Sequence, residues 1–154
     1  MRHITEQLSP AENEGFYALG YTIGGMMVFP GNQIDRRMTI NQARGMNKWT
    51  IADRMDLTLE CVRRFYAGDI SPLGDTIARY ADFFALFDDF RGYTEFFLLQ
   101  DLVTDDGDAV RFFTEFEDFR ASSRPHDLQE YRTFRTNSIE FIAARNRRIA
   151  ALGL

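Results

Sequence analysis

The sequence has one cysteine and two histidines, and these shortages limit the chemistry open to it. Cys61 cannot form an internal disulfide, and it excludes a zinc site built from several cysteines. We expect it to be a small buried side chain. His3 and His126 stand near opposite ends of the chain, and neither has a partner at metal-ligand spacing. We therefore predict no metal, no cofactor and no catalytic residue, and the residues do not favour an enzyme.

Long apolar runs are also missing. No stretch approaches the roughly 18 apolar residues that a membrane span needs, and residues 1–20 lack the apolar core of a secretory signal. With 154 residues, 45% of them apolar and 14% aromatic, the chain can still bury the core of one ordinary domain. These observations predict a folded, cytoplasmic protein that has no membrane contact.

Two glycine-containing segments lack the rest of a ligand-binding motif. Gly24 and Gly25 do not belong to a phosphate-binding GxxxxGK[ST] loop, so a tight turn is expected there. The segment TDDGD at 104–108 lacks the alternating ligands and terminal glutamate of a calcium loop. We interpret it as a solvated loop. Its acidic residues remain candidates for protein interaction, namely Asp105, Asp106 and Asp108.

Charge is distributed unevenly along the chain. Residues 1–35 sum to −3, residues 36–68 to +4, residues 69–130 to −10 and residues 131–154 to +4, which gives the net charge of −5. A basic middle segment is compatible with DNA contact, whereas the acidic stretch is compatible with binding to a basic protein surface. The charge pattern leaves both partners open.

Spacing and breaker residues predict a mainly α-helical fold with a small β element near residues 21–40. The run YTIGGMMVFPGN and the extended segment Met38–Ile40 suggest the β element. Four or five helices are expected, including one from Ser71–Pro72 to about Phe87 and a long one from about Pro125 to Leu152. We predict a loosely held segment over residues 1–20 and a compact single domain over residues 21–154.

The stretch RMDLTLECVRRFYAG, residues 54–68, can form the second half of a helix-turn-helix. In that interpretation the first helix covers 47–53, Asp56 and Leu57 make the turn, Thr58 caps the recognition helix and Gly68 ends it. The stretch from about Met46 to Ala81 resembles the Cro and phage-repressor helix-turn-helix family, although Asp56 stands where that family usually has glycine. The residues predicted to contact DNA are Lys48, Thr58, Glu60, Arg63, Arg64 and Arg44.

The same stretch can also be one uninterrupted amphipathic helix. Its apolar residues follow helical spacing without a break, so no turn is required. In this interpretation the acids and arginines form a solvated face that recognises nothing. The stripe consists of Ile51, Met55, Leu59, Val62 and Tyr66.

A second resemblance covers most of the chain, from Gly20 to Arg148. The segments GGMMVFPGN, MTINQARG, DLTLECVRRFY, SPLGDTIARYADFFALF, DFRGYTEFFLLQDLVTDD and SIEFIAARNRRI are similar to an uncharacterised bacterial domain-of-unknown-function family. The resemblance implies no activity, because none is established for that family. Longer members have extra sequence before GGMM, so the chain resembles a short form, such as one carried by a phage.

Two functional hypotheses follow. The first is a non-catalytic regulator that binds DNA through residues 47–68 and is compatible with a dimer. The second is an acidic protein that binds a host protein complex directly, for example a phage-encoded anti-defence protein of the anti-CRISPR type. The aromatic residues between Tyr80 and Phe97 fall at helical spacing and are expected mainly in the core.

Overall fold

The computed structural model describes residues 2–153 and is mainly helical. Over that range it has eight α-helices and no β-strand. The helices are α1 (Arg2–Thr5), α2 (Pro10–Gly20), α3 (Ile40–Met46), α4 (Met55–Ala67), α5 (Gly74–Ala78), α6 (Ala81–Ala85), α7 (Phe90–Phe96) and α8 (Leu128–Ala151). Short 3-10 helices cover Ile23–Gly25 and Gln100–Leu102.

The β element predicted near residues 21–40 is wrong. Residues 23–25 form a 3-10 helix, and the segment that follows runs without a partner strand. Side chains of α8 form hydrogen bonds with the backbone of residues 24 and 26. Arg145 donates to the carbonyls of Gly24 and Met26, and Asn146 Oδ1 accepts the amide of Gly24. These backbone groups therefore form their hydrogen bonds without a partner strand.

The helix expected from residue 72 to about residue 87 is split into α5 and α6. Arg79 and Tyr80 lie between them, and both side chains bind carbonyls of the preceding segment. Arg79 donates to Met38 O at 2.8 Å, and Tyr80 donates to Asn32 O at 2.8 Å. These tertiary bonds hold a bend where local spacing alone predicted a continuous helix.

The chain divides into two compact units. The first contains the described residues up to Met26, Phe112–Phe116 and the residues from Arg124 onward. Within it, α2 packs on α8, and Ser9 caps α2 through a reciprocal capping box with Glu12. Asp127 caps α8 through the amide of Glu130, so the long helix that the sequence predicted is confirmed within three residues at each end. The division into a segment 1–20 and a domain 21–154 stays a prediction.

The second unit comprises Met27–Arg111 and Glu117–Ser123. Its centre is α4, which contacts α5 and α7. The aromatic residues of α6 and α7 pack as tilted and edge-on rings around Phe84 and Tyr93, both of which are buried. Among residues 2–153, no helix is both long enough and apolar enough to cross a membrane.

Candidate binding groove beside a buried polar network

Helix α4 is enclosed on every side over its first two turns. All eight residues from Met55 to Val62 are buried, so neither its polar nor its apolar face is accessible there. A recognition helix needs one exposed face to enter the major groove. The amino-terminal half of α4 has no such face in this structure.

The helix boundaries required by the helix-turn-helix interpretation are wrong. Residues 48–53 form turns, and α4 is continuous from Met55 to Ala67, with Arg54 at its N-cap position. The single-helix interpretation is correct from Met55 onward, whereas Ile51 is buried in the turn before the helix. Gly68 ends α4 in the left-handed conformation, as the sequence predicted.

Thr58 and Arg44, both predicted to contact DNA, bond to each other inside the protein. Arg44 Nε donates to Thr58 Oγ1 at 2.9 Å, and Thr58 Oγ1 donates to Arg54 O at 2.7 Å. Arg44 also reaches Asn41 Oδ1 at 3.1 Å and Asp53 Oδ1 at 3.2 Å. Burial lowers the pKa of the Arg44 guanidinium, and the charge of Asp53 partly offsets this effect.

Arg54 and Asp56 form a second buried pair at the start of α4. Arg54 Nε and Nη2 donate to the two carboxylate oxygens of Asp56 at 3.1 and 2.5 Å. Arg54 Nη1 donates to Ser123 O at 2.8 Å, so the pair also holds the segment 117–123. The bidentate geometry compensates the cost of removing both charges from water.

Glu60, Arg63 and Arg64 form a third ionic group. Arg63 Nε lies 2.8 Å from one carboxylate oxygen of Glu60, and Arg64 Nε lies 2.7 Å from the other. Burial alone would raise the pKa of Glu60, but the hydrogen bonds from Arg63 and Arg64 outweigh it and hold that pKa below 4.5. Each arginine is about a quarter exposed, and Arg64 also stacks over Phe119.

The turn between α3 and α4 is fixed by this network and by its own hydrogen bonds. Asn47 Oδ1 accepts from the amide and the hydroxyl of Thr50 at 3.1 and 2.8 Å. Ala52 and Asp53 both have positive φ, at 49° and 59°, a conformation that residues other than glycine adopt at a cost. The ion pair with Arg44 and the buried side chain of Ile51 hold the turn in this strained state.

Large apolar side chains project from the outer side of the turn. Trp49 is 62% exposed and Met46 is 69% exposed, whereas other aromatic side chains, such as those of Phe84 and Tyr93, are buried. They border an open groove of about 580 Å³ in the second unit. Its lining residues are Met38, Ala43, Met46, Asn47, Lys48, Trp49, Pro72, Leu73 and Thr76.

Lys48 and Trp49 are the only lysine and the only tryptophan in the chain, and both line the groove. Lys48 is exposed, unlike Thr58, Glu60 and Arg44. Of the six residues predicted to contact DNA, it is therefore the one that faces solvent most fully. Sequence reasoning placed it on a DNA backbone and did not select Trp49, because exposure of a tryptophan is decided by tertiary packing.

The acidic loop 104–108 is a separate surface of the same unit. The residues Asp105, Asp106 and Asp108 are exposed. Thr104 Oγ1 and the amide of Asp108 both donate to Asp106, and these bonds lower its pKa. Arg111 pairs with Asp105, and within residues 2–153 no three His, Cys, Asp or Glu side chains converge as a metal site. The structure thus leaves these carboxylates accessible without gathering them around a cation.

Comparison with known proteins gives one relationship. The chain matches the family of unknown function DUF6994 over residues 1–149. The match therefore begins at the first residue, whereas the resemblance noted in the sequence began at Gly20. No curated protein and no protein of solved structure matches the chain.

Proposed function

The chain belongs to the DUF6994 family of unknown function, and from that premise we propose that it is a non-catalytic binding protein that recognises a protein partner through the groove around Trp49. One observation carries the proposal. The turn 47–54 is held in a strained conformation by buried bonds, and it presents Trp49 and Met46 to solvent. Trp49 and Met46 both line the same groove, so their exposed apolar surface forms one continuous contact area for a partner.

Exposed aromatic and methionine side chains are typical of the centres of protein interfaces. Tryptophan dominates interface hot spots, and methionine adapts to partners of different shape. The backbone beneath Trp49 is already fixed, so binding would not need to order the turn. An open groove of about 580 Å³ can receive one large side chain of a partner with its neighbouring backbone.

DNA binding through the segment 47–68 is the second candidate. It is favoured by the basic sequence around α3, where Arg36, Arg37 and Lys48 are exposed. It is disfavoured by the enclosure of α4 and by the pairing of Arg63 and Arg64 with Glu60. DNA contact would therefore use the outer side of the turn rather than the helix.

Affinity capture from a lysate of the source organism, quantified by mass spectrometry, tests the first candidate. The wild-type protein is compared with Trp49→Ala and with Ile70→Ala, a control that removes a side chain 91% exposed and outside the groove. We expect one partner to be retained by the control and lost with Trp49→Ala. A partner captured equally by all three proteins would contradict the proposal.

A charge reversal, Asp105→Lys with Asp106→Lys, distinguishes the groove from the acidic loop. Both residues are exposed, so the helices should tolerate the change, although the loop loses the hydrogen bonds that Asp106 accepts from Thr104 and Asp108. Loss of the partner only in this variant would move the interface to the loop 104–108. Equal loss in this variant and in Trp49→Ala would show that the partner covers both surfaces.

Fluorescence anisotropy with duplex DNA across a salt series tests the second candidate. Phosphate contacts make affinity fall steeply with salt, in proportion to the number of phosphates neutralised. Tight, salt-sensitive binding that Lys48→Ala weakens would favour DNA as the partner. Absence of binding at low salt would remove this candidate.

A further inference from the structure

We propose that the groove around Trp49 takes an acidic peptide segment that places one bulky apolar side chain against Trp49. This inference rests on the proposed function and specifies the chemistry of the partner. It combines the apolar lining of the groove with the sign of the charge around it.

The apolar part of the site is formed by side chains from three segments. Met38 precedes α3, and Met46 is the last residue of that helix. Trp49 lies in the turn after α3, and Leu73 directly precedes α5. Leu73 is buried and forms part of the floor, while the other three are at least half exposed and form the rim. An aliphatic or aromatic side chain that enters between them would remove apolar surface of both partners from water.

The charge around the groove is positive although the protein as a whole carries −5. Residues 36–52 supply six of the nine lining residues, and their exposed charged side chains, Arg36, Arg37 and Lys48, are all basic. The fourth basic residue, Arg44, is buried and paired with Asp53. Lys48 lines the groove itself. On this acidic protein, the groove is therefore a local site for a negatively charged partner.

Arg79 adds a second cation at the α5 side of the groove. Its Nη2 donates to the carbonyl of Met38, a lining residue, while its Nε is buried and has no hydrogen-bond partner. Two acidic residues lie in or directly after these segments in sequence. Asp53 is paired with Arg44 at 3.2 Å, and the exposed Asp75, which precedes the lining residue Thr76, offsets only one of the exposed positive charges.

The size of the groove favours a short segment over a folded domain surface. A volume of about 580 Å³ accommodates one large side chain with its neighbouring backbone, and the open side leaves room for the peptide to continue. Carboxylates on either side of the apolar residue would reach Lys48 and Arg79. Such a segment combines an apolar anchor with electrostatic steering.

The single tryptophan makes the test direct, because all indole fluorescence comes from Trp49. Three nine-residue peptides are titrated into the intact protein: leucine flanked by glutamates, leucine flanked by lysines, and serine flanked by glutamates. We expect a saturable blue shift of the emission with the first peptide only, and an affinity that falls at least threefold when salt rises from about 50 to 200 mM.

A charge-reversal pair separates groove contacts from general attraction. Lys48→Glu should abolish the blue shift, whereas Arg147→Glu, at an exposed residue of α8 that does not line the groove, should leave it unchanged. The emission of each variant without peptide shows whether the surroundings of Trp49 are intact. A shift that survives in Lys48→Glu would overturn the charge part of the proposal.

An equal response to the lysine peptide, or no response to the glutamate–leucine peptide up to about 1 mM, would overturn the whole inference. The lysate capture then shows whether the proposed function is wrong or only the peptide chemistry. If a partner still depends on Trp49, the proposed function stands and the peptide chemistry is wrong. A blue shift that appears on concentrating the protein alone would instead identify a second copy of the chain as the occupant.

Discussion

Ser123 donates both its backbone amide and its hydroxyl to the carbonyl oxygen of Trp49, at 2.9 and 3.0 Å. The two residues are 74 positions apart in sequence. Since Arg54 also binds the carbonyl of Ser123 at 2.8 Å, one residue ties the exposed rim of the groove to the buried ion pair at the start of α4. The backbone of Trp49 is thereby fixed while its indole remains in solvent.

Replacement of Thr58 by valine should destabilise the protein by about 1–3 kcal/mol, because Arg44 Nε loses its acceptor in a buried site. Urea unfolding at neutral pH measures the difference. Thr133→Val is the matched control, since the Thr133 hydroxyl also donates to a carbonyl four residues earlier but is exposed. A loss in Thr58→Val no larger than in the control would show that the Arg44 bond contributes nothing.

Glu60→Gln should make stability less dependent on pH in the acidic range. The pKa of Glu60 is lowered in the folded protein, so its stabilising contribution is present above 4.5 and is lost as pH falls through the folded pKa. We expect wild type to be the more stable protein at pH 7 and the difference to shrink at about pH 3. Urea midpoints at the two pH values measure it.

The control for this comparison is Glu95→Gln, at an exposed carboxylate of α7. It should change stability by less than about 0.5 kcal/mol at either pH. If the difference between wild type and Glu60→Gln stayed constant from neutral to acidic pH, the ionic group with Arg63 and Arg64 would not be the cause of the acid sensitivity.

Cys61 should be unreactive in the native protein. Its side chain is fully buried, and burial raises the pKa of the thiol to about 11. At pH 8 only about 0.1% of such a thiol is ionised, and the thiolate is the reactive form. Labelling with a thiol-specific chromogenic disulfide should be slow in buffer and rapid in urea. Rapid labelling of the folded protein would mean that α4 opens locally.

Two glycine-to-alanine substitutions should change stability in opposite directions. Gly68 ends α4 with φ of +76°, so Gly68→Ala should cost about 1 kcal/mol. Gly15 lies inside α2 with open space around its Cα, so Gly15→Ala should stabilise by about 0.5–1 kcal/mol. Thermal unfolding of the pair checks both signs, and a stabilised Gly68→Ala would contradict the cap.

The sequence predicted those features that are determined locally. Gly68 ends α4 through neighbouring backbone groups, which is why residue type and spacing were sufficient there, and the long helix α8 was predicted within three residues at each end. The general helical content follows from the same signals.

The candidate site could not be read from local pattern, because its polar residues bond over long separations. Thr58, Arg44 and Arg54 have the residue types of a DNA-binding surface, and only the folded chain shows that they face one another. The enclosure of α4 on both faces is likewise a property of its neighbours. An amphipathic stripe gives no warning that the polar face is buried too.

The first unit combines residues from both ends of the chain. The amide of Gly24 meets Asn146 across 122 residues, and that contact cannot form until α8 has left the ribosome. At a synthesis rate of about 5–20 residues per second, the 122 residues from Gly24 to Asn146 take about 6 to 24 seconds to be made. During that interval every segment of the second unit, from Met27 to Ser123, is synthesised ahead of α8. The groove can thus be in place before the first unit has its longest helix.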